Sequence, residues 1–264
     1  MQAPIGTGGA LKVIDSHFHI WDPEVENLPW LKGMNAINHK FTFEELEAEY
    51  AQFDVEFLGG VYVEVDCVDH ELEDKLIFEN PNDRILARML RSRVSPYMRV
   101  PLNATGIREP LHIDSEPRGR CAERSFIEGL EAMADKGLPF ELCNRGDELA
   151  DMAQAFALVP QETVIIDHMG NVPGLDETSR NALKAMAALP NSYIKISGDN
   201  PVNPDIVKFI RDTFAPDRLL YASNWPVVTS SSSFAKHFQL MLDIFGNDED
   251  FFMNNAKKAY GISL

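Results

Sequence analysis

Short β-branched apolar runs recur along the chain. Each is followed by a stretch in which apolar residues return every three or four positions. The runs predict strands at residues 13–17, 60–65, 85–90, 106–111, 139–143, 163–168, 193–197 and 219–223. Several are apolar almost throughout, as in GGVYVEV, TVIID, YIKIS and RLLYAS, which is how strands covered on both faces read. Helices are predicted at 42–53, 121–136, 147–158, 203–214, 231–245 and 248–260. The first opens with Thr42 and Glu45 at capping-box spacing. The second carries Phe126, Ile127, Leu130, Met133 and Ala134 on one face and stops at Gly137. Asn203-Pro204 reads as an N-cap followed by the first helical residue.

Eight strands alternating with helices in 264 residues give an α/β fold, a (β/α)8 TIM barrel in one domain spanning 1–264, with an additional C-terminal helix. The barrel need not be regular, and strands three and four, within 80–120, have the poorest patterns. A doubly wound sheet would carry a glycine-rich phosphate loop after an early strand. Here the first strand ends in SHFHIWD, so imidazoles stand where that loop would be.

Composition narrows the function. Lys plus Arg is 24 against Asp plus Glu 41, a net charge of −17, which opposes nucleic acid and anionic membrane as partners. No window approaches about 18 consecutive apolar residues, and MQAPIGTGGALKVID lacks the basic and apolar regions of a secretory signal. Cys67, Cys121 and Cys143 are odd in number and widely spaced, which fits reduced thiols and a cytoplasmic location. A homo-oligomer is compatible with all of this.

Three segments carry chemistry. His17 and His19 lie two apart at the end of the first strand and so share a face at the barrel mouth, where neutral imidazoles suit a divalent metal. His168 ends TVIIDHMGNVP with the parity of Ile166 and supplies a third nitrogen. Asn224 ends the last strand in DRLLYASNWPVV. Trp21, Trp30 and Trp225 are candidate pocket walls. His39, His70, His112 and His237 fall in loops or helices and are expected to be solvated. Asp15 shares parity with His17 and is expected to hydrogen-bond within the barrel.

Taken in order, VIDSHFHIWD, TGIREPLH, LPFELC, IIDHMGNVP, YIKISGD, RLLYASNWPV and NNAKKAYGI span almost the whole chain. The ordered set resembles the amidohydrolase superfamily. Within it, the set is similar to the amidohydrolase 2 family and its lactonase-type branch, which includes L-fuconolactonase, L-rhamnonolactonase and 2-pyrone-4,6-dicarboxylate lactonase. The resemblance implies a hydrolase of a lactone or related cyclic ester. Its substrate is then a small molecule, a lactone or carboxylate, and His17, His19 and His168 hold one divalent ion, zinc or manganese. Some members of the branch are metal-free, so the ion is not obligatory. The resemblance places Arg108 and Trp21 beside the substrate and makes Lys195 a further candidate there, with Ser197 behind. His168 and the position of Asn224 are its catalytic candidates.

Asn224 departs from the pattern, because the lactonases carry Asp there as general base and an amide cannot accept that proton. Another carboxylate, Glu64 or Glu141, then serves as base; or the protein is a variant with altered or no hydrolysis; or the residue is an introduced replacement. Alternatives on the same barrel are a decarboxylase-type reaction and a non-catalytic binding protein.

Overall fold

The computed structural model describes residues 9–197 and 202–264. The N-terminal octad and the Gly198-Asp199 end of the YIKISGD motif lie outside them. Eight parallel strands form one sheet in sequence order: β1 Leu11–Phe18, β2 Val55–Val63, β3 Ile85–Arg91, β4 Gly106–Pro110, β5 Phe140–Cys143, β6 Val164–Ile166, β7 Ser192–Ile196 and β8 Leu219–Tyr221. Seven neighbouring pairs are joined by parallel ladders. The seam between β1 and β8 is closed by a single bridge, Phe18 to Trp225, so the barrel is nearly closed and distorted there.

The helices are α1 Phe43–Tyr50, α2 His70–Glu79, α3 Arg124–Ala134, α4 Leu149–Leu158, α5 Glu177–Ala188, α6 Pro204–Thr213, α7 Phe234–Phe245 and α8 Asn255–Tyr260. Their starts follow local chemistry. Glu45 accepts the Thr42 N–H at 2.8 Å, and the Asn203 side chain caps α6 through the Asp205 N–H at 2.9 Å. Two helices, α2 and α5, were not predicted. In α2 the buried face includes Glu73 and Asp74 as well as Ile77, so the apolar period is broken by carboxylates. α5 has a cap, Asp176 accepting from the Ser179 N–H at 2.7 Å, but little apolar periodicity ahead of Ala182. The crossover from β3 to β4, residues 92–105, contains no α-helix, which is where the sequence pattern was weakest.

Strand alternation separates two cores. Val164, Ile166, Ile194, Ile196, Phe140 and Leu142 face outward against the helices. Ile14, Val61, Ala87, Met89, Ile165, Tyr193 and Leu220 face inward and meet Met253, Ala256, Ala259 and Tyr260 of the chain's end. The C-terminal helix therefore plugs the end of the barrel where the strands begin. Gly106 is required at this level, because a Cβ there would lie 2.7 Å from the Pro139 backbone carbonyl oxygen.

Candidate active site

One turn of each strand above that apolar plug, the inward positions become charged. By parity with Ile165 and Tyr193, Asp167 and Lys195 point inside, joined by Arg108 and Glu141 from β4 and β5 and by Glu64 after β2. His17, Glu64, Glu141, Asp167 and Lys195 are all fully buried. Lys195 Nζ donates to Glu141 and lies 3.1 Å from Asp167 Oδ1 and 3.0 Å from His17 Nδ1. His17 Nδ1 is 3.1 Å from Asp167 Oδ1 and 3.3 Å from Glu141 Oε1. Arg108 bridges Glu64 and Asp167, with Nε 3.2 Å from Asp167 Oδ2. Tyr260 reaches up from α8 and donates to Glu141 Oε2 at 3.0 Å. Burial would raise the Asp167 pKa, but Lys195, His17 and Arg108 outweigh it and hold the carboxyl well below the usual range. Burial acts the same way on Glu64, and the guanidiniums of Arg108 and Arg91 hold it low.

Above this layer stand the other imidazoles. His19 Nδ1 lies 2.8 Å from the Val63 carbonyl, which assigns the proton to Nδ1 and leaves a lone pair on Nε2, 3.1 Å from His17 Nε2. His168 Nδ1 is 2.9 Å from Ser197 Oγ. The rings of His17 and His168 are 4.7 Å apart, and ligand atoms of His17, Asp167 and His168 lie within 4.8 Å of one another. Burial, followed by the closeness of His17 and of the Arg108 guanidinium, holds His19 well below the ordinary histidine pKa. Burial and His17 do the same to His168, so both rings are neutral near pH 7. His168 reaches this place by an unusual route. β6 ends at Ile166, and His168 and Met169 take left-handed φ of 49° and 54°, so strand parity no longer applies.

A cavity of about 640 Å³ opens at the mouth. His19, Glu64, Asp66, Arg108, His168, Ser197 and Asn224 line it, with Trp30, His112, Asn144, Arg145 and Asn171 on its walls. Arg145 is tied to Glu148 at 3.0 Å and to backbone carbonyls. Asn224 has φ 54° and donates its backbone N–H to the His17 carbonyl at 2.9 Å; its side chain makes no hydrogen bond among the described residues.

The structure thus brings His17, His19, His168, Arg108 and Asn224 together. Lys195 lies one layer below the cavity rather than on its wall. Trp21 is also set back, its indole N–H bonded to the carbonyls of Ile37 and His39, and Trp30 stands in front of it on the wall. Trp225 is buried against Phe41. One histidine expected in solvent is buried: His237 has Nε2 2.8 Å from the Ala222 carbonyl, and burial pushes its pKa down to about 4. His112 is exposed as expected, at the edge of the cavity. Asp167 was not among the candidate residues, although it lies two residues beyond the inward-facing Ile165 and shares its parity.

A near-closed α/β barrel with imidazoles at its mouth and an ion-paired layer beneath them defines a barrel enzyme. The chain belongs to the amidohydrolase family, whose model matches residues 14–262. It is similar to an L-rhamnono-gamma-lactonase of Scheffersomyces stipitis, 25% identical over 95% of this chain and 99% of that protein. It is also similar to an L-fucono-1,5-lactonase of Burkholderia multivorans, 24% identical over 86% of each. Among solved structures, an amidohydrolase 2 from Bifidobacterium longum subsp. infantis is 68% identical, with a TM-score of 0.93 over 96% of this chain and 100% of that one. An amidohydrolase from Burkholderia multivorans solved with bound zinc shares the fold at 19% identity, with a TM-score of 0.79 over 95% and 99%.

Proposed function

We propose that the protein hydrolyses an uncharged, hydroxylated lactone with the help of one divalent ion, zinc or manganese. The carrying observation is that His19 and His168, on the cavity wall, both pack against the buried His17, whose Nε2 is 3.1 Å from that of His19 and whose ligand atoms cluster with those of His168 and Asp167. The His19 lone pair is aimed inward by the Val63 carbonyl, and the donor set of imidazoles backed by Asp167 fits such an ion. Bound there, the ion would polarise the lactone carbonyl and acidify a water. Arg108 turns its remaining Nη2, which has no hydrogen-bond partner among the described residues, toward the cavity and orients the ring ester. Asn224 donates or accepts a hydrogen bond at the reacting carbonyl and takes no proton. Of Glu64 and Glu141 only Glu64 reaches the cavity wall, so it is the proton acceptor of the two, a weak base while Arg108 and Arg91 hold its carboxyl low. Lys195 supports His17 from below.

The substrate class rests on charge and on the relatives. Both guanidiniums on the wall already have carboxylate partners, which disfavours a dicarboxylate, and the named curated relatives are sugar lactonases. Nothing favours the decarboxylase or the binding-only alternative. The test is a pH-indicator assay over sugar lactones and carboxylated lactones, with protein stripped by chelator and then reloaded with zinc or manganese. Turnover of a sugar lactone is expected, falling about 100-fold or more in His168→Ala. Full activity after stripping would keep the lactone and remove the ion. Silence across the panel, including Asn224→Asp, would remove both.

A further inference from the structure

Among the described residues the β1–β8 seam has no extended ladder, only one bridge with two backbone bonds, Asn224 N–H to the His17 carbonyl at 2.9 Å and His19 N–H to the Trp225 carbonyl at 2.8 Å, and it separates the β1 histidines from Asn224. We propose that Asp15 is the positioning residue that holds this seam in register, a carboxylate doing the work of the missing ladder. This rests on the reading of the β1 histidines as working groups.

Asp15 is fully buried, two residues before His17. Its Oδ1 accepts the backbone N–H of His17 at 3.1 Å and that of Ser223 at 2.9 Å. Its Oδ2 accepts the Tyr50 hydroxyl at 2.9 Å and the Ser223 hydroxyl. Ser223 Oγ in turn accepts the Trp225 N–H at 2.9 Å. One carboxylate therefore ties β1, α1 and the segment after β8, with four donors and no cation. The two residues it fixes most directly flank the site: His17 on one side, and Ser223, the neighbour of Asn224, on the other. The His17 carbonyl completes the loop by accepting the Asn224 N–H at 2.9 Å. An amide could not substitute, because its NH₂ would face donors.

Two hydroxyl deletions separate positioning from mere support. Ser223→Ala cuts a link across the seam. Tyr50→Phe removes from the outer helix a hydroxyl that bonds the same oxygen and lies 3.1 Å from the Tyr221 hydroxyl of β8, but it leaves the backbone of Ser223 and its hydroxyl on Asp15, and its ring keeps its stack on Phe57 at 4.0 Å. Each variant is read by melting temperature and by zinc affinity in chelator competition. Both are expected to melt lower. Ser223→Ala is expected to lose about 10- to 100-fold in zinc affinity, with Ser223→Thr restoring it and Tyr50→Phe staying within about 2-fold of the parent. Equal zinc affinity in all of them, or equal losses in Ser223→Ala and Tyr50→Phe, overturns the proposal. A parent protein that takes up no zinc defeats the metal reading instead. The seam is then judged by the imidazole ¹⁵N resonances of His17 and His19, which must move in Ser223→Ala and stay in Tyr50→Phe; unmoved resonances overturn it.

Discussion

The barrel interior has two storeys built by the same strands and equally dry. The lower one, Ile14, Val61, Ala87, Met89, Ile165, Tyr193 and Leu220, is closed by the C-terminal helix and holds itself together by apolar contact. The upper one is a lattice of Glu64, Arg108, Glu141, Asp167, Lys195 and His17. Ile165 and Asp167 are two residues apart, as are Tyr193 and Lys195, so a single strand periodicity builds both storeys. They differ in what tolerates burial. The lower storey gains from every apolar area removed from water. The upper one must cancel desolvation with partners, and apolar residues of the same size would stabilise the fold as well or better. Its charges are there for the imidazoles above.

The comparison breaks most readily at Lys195, which touches two carboxylates and the His17 ring with no exposure to solvent. Lys195→Met fits the space but leaves Glu141 and Asp167 short of a cation. A loss of about 3–5 kcal/mol in denaturant unfolding is expected. A loss below about 1 kcal/mol would mean that water reaches the layer and that the two storeys are not equally dry. Tyr260 joins the storeys, with its ring in the lower and its hydroxyl on Glu141 Oε2 and the Ser16 carbonyl. Tyr260→Phe keeps the ring and removes the donor, so a smaller loss of about 1–3 kcal/mol is expected in the same measurement. An unchanged midpoint would separate the plug from the charged layer.

Much of this was legible in the sequence, unevenly. The eight strands were visible because strands buried on both faces read as apolar runs, and the SHFHIWD end of the first placed two imidazoles at the mouth. The upper storey was not legible as a unit. Its members are single polar residues at or just past the ends of six strands, and only closure of the barrel brings Glu141 to Lys195 or Arg108 to Glu64. Parity misled at His168, where it was counted through a backbone that had already left the strand. α2 was missed for a related reason. Glu73 stands where an apolar residue would mark the face, held by the Tyr62 hydroxyl at 2.8 Å and the Val65 N–H at 2.9 Å.

Glu162 sharpens the contrast, as a buried carboxyl outside the charged layer. It is 3% exposed, and neither oxygen meets a cation or a side-chain donor among the described residues. Burial pushes its pKa from 4.5 up to about 9, so in the folded protein it holds its proton at pH 7 while in the unfolded chain it does not. The folded state then binds more protons between those two values, and stability falls as pH climbs from about 4.5 towards 9. Glu162→Gln removes that slope. The variant should match the parent near pH 4.5 and exceed it by a few kcal/mol at pH 8. Urea unfolding at the two pH values measures it. A gap that fails to widen with pH would show that Glu162 finds a partner the way the upper storey does. Partnering would then be the rule for buried carboxylates throughout this barrel, beyond the layer beneath its histidines.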